Sequence, residues 1–136
     1  MPLTLSRFSR KALWMLELSE EEALRLGHCE LGTEHLLLGL IAEGTAPTSQ
    51  FFRSKGITLQ DVRREVVKLN GRSYGTQQAP MTLTPEAARV IERAITEADQ
   101  LGGDAVAPAH ILLSLIREDE SQSQAVRVLK NLPGRG

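Results

Sequence analysis

The sequence predicts an all-α fold, and three observations carry that reading. Apolar residues recur at three- and four-residue steps, as in Ala87, Ile91, Ala94, Ala98 and Leu101, which paints one stripe along a helix. Capping residues and glycines bracket each such segment. No strand pattern of four or more alternating residues stands out, so no strand is expected.

Each element has its own local justification. Ser9 caps a first helix over about residues 9–26, with Gly27 as its stop. Thr33 caps a second over about 33–43, stopped by Gly44. A short third covers about 48–54 and ends near Gly56. Thr58 caps a fourth over 59–70, where Leu59, Val62, Val66 and Leu69 share a face, and Gly71 ends it. GRSYGTQQAPM, residues 71–81, is a polar linker. Thr84 then caps a helix over 85–101 with Pro85 at its first position. Pro108 opens another over about 108–118, and Ser121 or Ser123 opens a last one over about 122–130.

These helices repeat. Shifted by 75 residues, Glu22 to Glu43 lies on Glu97 to Glu118 without a gap, with ten of 22 positions identical. Chance would give about one or two. The matches include His35 with His110 and Leu37, Leu38, Leu40 and Ile41 with Leu112, Leu113, Leu115 and Ile116. A unit this long points to a duplicated helical bundle rather than a solenoid. The chain therefore divides into one domain, 1–136, with repeat 1 at about 8–71, a linker at about 72–82 and repeat 2 at about 83–132. Each repeat is a four-helix unit, and the second lacks a counterpart to the helix 59–70. Two bundles packed about a pseudo-twofold axis are expected. Leu37, Leu40, Leu112 and Leu115 cannot all be exposed and should lie at the centre.

Composition narrows the function. A length of 136 residues suits one domain, and 41% hydrophobic with 24% charged residues marks an ordinary globular chain. A net charge of −1 argues against nucleic-acid binding, which usually shows a basic excess. No apolar run approaches the roughly 20 residues that span a bilayer, and no secretory signal is evident. With Cys29 alone, no intramolecular disulfide can form, and the cytosol is the default location.

The candidate residues divide between chemistry and packing. His35 and His110 sit just inside helices among leucines and isoleucines. A metal would need three or four convergent ligands, and no HExxH or CxxC spacing is present. Both imidazoles are expected to be mostly buried and bonded to a backbone group or cap, with no metal. A small helical metal- or nucleic-acid-binding protein is the rival class. The one GxSxG match, GRSYG at residues 71–75, falls in the polar linker and not on a strand-to-helix turn, and GxxxxGK[ST] is absent, so neither an enzyme nor a nucleotide cofactor is expected. Ser9 and Thr84 occupy equivalent helix starts, where unpaired N–H groups suit an anion. Simple capping, which needs no ligand, is the preferred reading of both, as the helix dipole is of Glu34.

FSRKALWMLELSEEEALRLGHCELGTEHLLLGLIAEG resembles the N-terminal repeat of Clp-type AAA+ unfoldases, and the ClpC group above all. The likeness rests on EEALRLGH followed by GTEHLLLGLIAEG and covers about residues 8–132, with APAH in the second repeat where the family has GTEH. It implies a non-catalytic domain that receives substrates, docks adaptors and works with Clp ATPase or Clp protease core subunits. In ClpC-like members it also implies recognition of phosphoarginine. The resemblance maps the hydroxyl that takes the phosphate to Ser9 and the carboxylate that takes the guanidinium to Glu34, with Thr84 and Ala109 as a weaker second pair. It leaves two settings open: the N-domain of a full unfoldase, or a standalone accessory protein of the Clp system, which in a plant would place it in the plastid stroma.

Overall fold

The computed structural model describes residues 5–45, 47–71, 82–103, 105–118 and 123–132. Among these, after a 3-10 turn at Leu5–Arg7, there are seven α-helices: α1 (Arg10–Arg25), α2 (Thr33–Glu43), α3 (Thr48–Ser54), α4 (Leu59–Asn70), α5 (Pro85–Gln100), α6 (Pro108–Ile116) and α7 (Gln124–Asn131). Apart from Thr82, the expected linker at about 72–82 lies outside the described residues.

The caps form as the sequence requires. The Ser9, Thr58, Thr84 and Ser123 side chains accept the N–H groups of Ala12, Asp61, Ala87 and Val126. Ser9 and Thr84 share one backbone conformation, φ −66°, ψ 162° against φ −68°, ψ 158°. Gly27 and Gly102, which follow the ends of α1 and α5, take positive φ of 74° and 77°, as residues past a helix end commonly do. Two expectations shift. Gly32, not Thr33, stands at the start of α2, because the His35 imidazole takes over the capping. That frees the Thr33 hydroxyl, which accepts the Ala125 N–H at 3.1 Å and so ties α2 to the start of α7. Helix α6 ends at Ile116, two residues short of the expected 118.

Two short strands appear where none was expected. β1 (Glu30–Leu31) runs parallel to β2 (Thr82–Leu83), pairing Glu30 with Thr82 and Leu31 with Leu83. Phe8 bridges Val106 in the same sense. The letters around β2, Met81 to Thr84, do alternate, but so do Leu3 to Ser6, and a run of four is too short to set a strand apart.

The core is apolar and centred on α2, whose Leu36, Leu37, Leu38 and Leu40 are all fully buried. Leu112 and Leu115 of α6 are buried with them. Helices α1 and α2 approach closely at Gly39. A Cβ there would lie 1.9 Å from the Ser19 Oγ and 2.6 Å from the Met15 carbonyl oxygen. Ser19 donates its hydroxyl to that carbonyl at 3.0 Å. At the aligned positions of α5 and α6 the hydroxyl sits on the opposite helix. Ala94 replaces Ser19, Ser114 replaces Gly39, and the Ser114 Oγ donates to the Val90 carbonyl at 2.8 Å. One buried hydroxyl thus meets the equivalent carbonyl from either side of the helix pair.

Ion pairs clamp the outer helices. Arg63 of α4 grips Glu22 of α1 with two parallel bonds, Nε to Oε1 at 2.9 Å and Nη2 to Oε2 at 2.6 Å. Arg89 and Arg93 of α5 converge on Glu118, just past α6, at 3.1 and 2.7 Å.

Candidate functional site

The site is built on the start of α2. The Gly32 N–H donates to His35 Nδ1 at 2.8 Å, so His35 carries its proton on Nε2. That nitrogen meets His28 Nδ1 at 2.8 Å, and His28 Nε2–H in turn donates to the Gly71 carbonyl at 2.8 Å. Every donor in this relay meets an acceptor only while both rings are neutral. The relay joins the α1–β1 turn, the first turn of α2 and the end of α4. His35 is 1% exposed, and burial, followed by the neighbouring His28, lowers its pKa to about 3. His110 caps α6 in the same manner, accepting the Ala107 N–H at 2.9 Å. It is only partly buried, and Gly103 stands where His28 would. Among the described residues no group of three or more His, Cys, Asp or Glu is placed to hold a metal ion.

Glu34 follows directly in the same turn. Its side chain is 6% exposed, Oε2 accepts from Asn70 Nδ2 at 2.5 Å, and Oε1 is buried with no hydrogen-bond partner. The carboxylate folds back against Gly32, where a Cβ would come within 2.4 Å of Oε1. Burial raises the Glu34 carboxyl above the ordinary range, against the pull of its own backbone, His28 and Asn70, while Glu86 adds to the rise. A buried carboxylate oxygen without a partner is left unsatisfied, and a cationic donor that reached it would be held strongly.

Glu34 opens into a cavity of about 480 Å³ that is also lined by His28, Asn70, Thr84, Glu86 and Arg127. Thr84 and Glu86 bring the first turn of α5 to one wall. The cavity therefore sets a carboxylate beside a helix N-terminus, a place for a cation beside a place for an anion.

The predicted site residues do not meet as expected. Ser9 does not line this cavity; Thr84 does. The crossing of the short strands decides it. Thr84 N–H donates to the Leu31 carbonyl at 3.0 Å, which seats the start of α5 beside the start of α2. Ser9 N–H donates to the Val106 carbonyl at 2.9 Å, which seats the start of α1 beside the start of α6, where Ala109 stands. Glu34 is thus coupled to the hydroxyl of the other half of the chain. Sequence reasoning missed His28, Asn70 and Glu86. The contrast of His28 with Gly103 was a signal for the first. Asn70 bonds a residue 36 positions away and left no local trace.

The chain is a small helical domain with a side-chain-sized cavity between the starts of two helices. The chain belongs to the Clp repeat (R) N-terminal domain family, whose model matches residues 7–132. It is 48% identical over 126 residues to the chloroplastic chaperone protein ClpC2 of Arabidopsis thaliana, covering 93% of this chain and 13% of that protein. It is 47% identical to a Guillardia theta ATP-dependent Clp protease ATP-binding subunit, a ClpA homolog, covering 93% of this chain and 15% of that protein. The chain thus spans only 13–15% of the length of these relatives. The N-terminal domain of ClpD from Arabidopsis thaliana superposes with a TM-score of 0.76 at 33% identity, covering 93% of this chain and 87% of that one. The N-domain of ClpV from Vibrio cholerae, at 12% identity and TM-score 0.74, shares the fold, covering 94% of this chain and 78% of that one. Clp N-domains of this type are non-catalytic modules for substrate or adaptor binding. Among the described residues no helix is long and apolar enough to cross a membrane.

Proposed function

We propose that this chain receives substrates or adaptors for a Clp ATPase or the Clp protease core, and that the Glu34 cavity is where a ligand side chain is held. The carrying observation is that Glu34, whose buried Oε1 has no hydrogen-bond partner, lines a cavity together with the start of α5. Glu34 takes a guanidinium, and the first N–H groups of α5, behind Thr84, take an attached phosphoryl group, as phosphoarginine would present them. The start of α1 at Ser9 forms a second, weaker place, because Ala109 supplies no carboxylate there. A ClpV N-domain has been solved with a VipB peptide, which supports peptide capture as a use of this fold. The module serves either as part of a larger unfoldase or as an accessory subunit, in the cytosol or, as with its chloroplastic relatives, in a plastid.

Titrating phosphoarginine, with arginine alongside, into the wild type, Glu34→Ala and Ala109→Glu tests the reading. Losing a charge-assisted partner costs about 1.5–3 kcal/mol, roughly ten- to hundredfold in affinity. Glu34→Ala should abolish most binding, and Ala109→Glu should add a site at the Ser9 end. A wild type that binds neither compound overturns the assignment.

A further inference from the structure

The two equivalent helix starts, at Ser9 and Thr84, differ in sign. At α5 the first residue is Pro85, which has no N–H. The N–H groups of Ala87 and Ala88 go to the Thr84 hydroxyl and carbonyl, at 3.1 and 2.9 Å. The hold of this first turn on an anion therefore centres on the Glu86 N–H, and Glu86 also carries a carboxylate. At α1 the Ser9 hydroxyl and carbonyl engage Ala12 and Leu13 in the same way, at 3.1 and 2.9 Å. The 75-residue offset, however, puts Arg10 and Lys11 where Pro85 and Glu86 stand. Both have an N–H and both side chains are cationic.

Glu86 faces the cavity that Glu34 lines. Its charge acts on Glu34 there, adding to the rise that burial causes in that carboxyl. Among the described residues the charged lining is three carboxylates, Glu30, Glu34 and Glu86, against the guanidinium of Arg127 on the α7 wall. A phosphoryl group at the start of α5 would share the partial positive charge of the helix end with a fixed carboxylate that repels it. A bare guanidinium between Glu34 and Glu86 would be attracted by the same charge.

We infer, on the reading of this cavity as an arginine site, that Glu86 sets the choice between a phosphorylated and an unmodified arginine, tilting the cavity toward the unmodified one. Thr84 and the helix end offer the phosphoryl group a place, and Glu86 weakens its hold. Lys11 gives the start of α1 the opposite bias, but Ala109 leaves that end without a carboxylate for the guanidinium.

The probes are two blocked pentapeptides with a central arginine, one plain and one phosphorylated on the guanidinium. Each is titrated by calorimetry into the whole chain at about pH 8 and low salt, where the phosphoryl group is a dianion and screening is weak. Glu86→Gln should tighten the phosphorylated peptide and weaken the plain one, moving the ratio of their affinities by about tenfold or more. Glu86→Lys, with the sign that Lys11 gives α1, should move the ratio further in the same direction. Glu92→Gln, on an exposed position of α5 outside the cavity, should leave the ratio where it was. Glu86 also steadies α5 as an acid in its first turn, and a purely structural role would move both peptides together. A ratio unchanged in Glu86→Gln and Glu86→Lys, or two affinities that shift in parallel, overturns the inference and leaves the cavity an arginine site. A wild type that binds neither peptide removes that site and the inference with it.

Discussion

Gly39→Ala probes the closest helix approach in the core. The added Cβ would lie 1.9 Å from the Ser19 Oγ and 2.6 Å from the Met15 carbonyl oxygen. The hydroxyl can swing away only by giving up its bond to that carbonyl. The carbonyl belongs to α1 and cannot move unless α1 and α2 part. Forced separation of a packed pair costs about 1–3 kcal/mol. In a chain of this size that lowers the melting temperature by about 3–10 °C. Ser19→Ala alone should cost under about 1 kcal/mol, because the Met15 carbonyl keeps its helical partner. The double variant should recover only part of the Gly39→Ala loss, since the hydroxyl clash goes and the carbonyl clash stays. Urea unfolding of the four proteins, analysed as a double-mutant cycle, gives the coupling. Gly39→Ala within about 0.5 kcal/mol of wild type, or complete rescue by Ser19→Ala, would refute the packing argument.

Two further outcomes are expected. The His35 pKa is depressed from an ordinary value of about 6.5 to about 3, so the unfolded chain binds the extra proton between them. The stability this group contributes is full above about pH 6.5 and falls with pH, by about 2 kcal/mol at pH 5. The raised Glu34 carboxyl acts with opposite sign, so the slope is cleanest in a Glu34→Gln background, and urea midpoints that stay flat from pH 7 to 5 there would contradict the neutral relay. Arg63→Ala leaves Glu22 buried without its two-bond partner and should cost about 2–4 kcal/mol in thermal or urea unfolding, whereas Arg64→Ala, an exposed one-turn pair with Asp61, should cost under about 1 kcal/mol.

What the sequence determined by itself is local. Ser9, Thr58 and Thr84 announce helix starts because each cap bonds an N–H three residues on, within its own segment. Leu37 and Leu40 announce the core because a helix repeats every three to four residues. The repeat and the family likeness were legible in a gapless run of residues. What tertiary structure alone decided is which starts meet. Two-residue strands too short to show a pattern carry Thr84, rather than Ser9, to Glu34. Thr33 looked like a cap, yet its hydroxyl serves a helix 92 residues away, because His35 had already satisfied the N-terminal N–H. Leu38 and Leu113 are the same letter in the same repeat position, and one is buried while the other is exposed. Burial depends on what packs above a residue, and that neighbour is set by the whole chain rather than by the turn of helix it sits in.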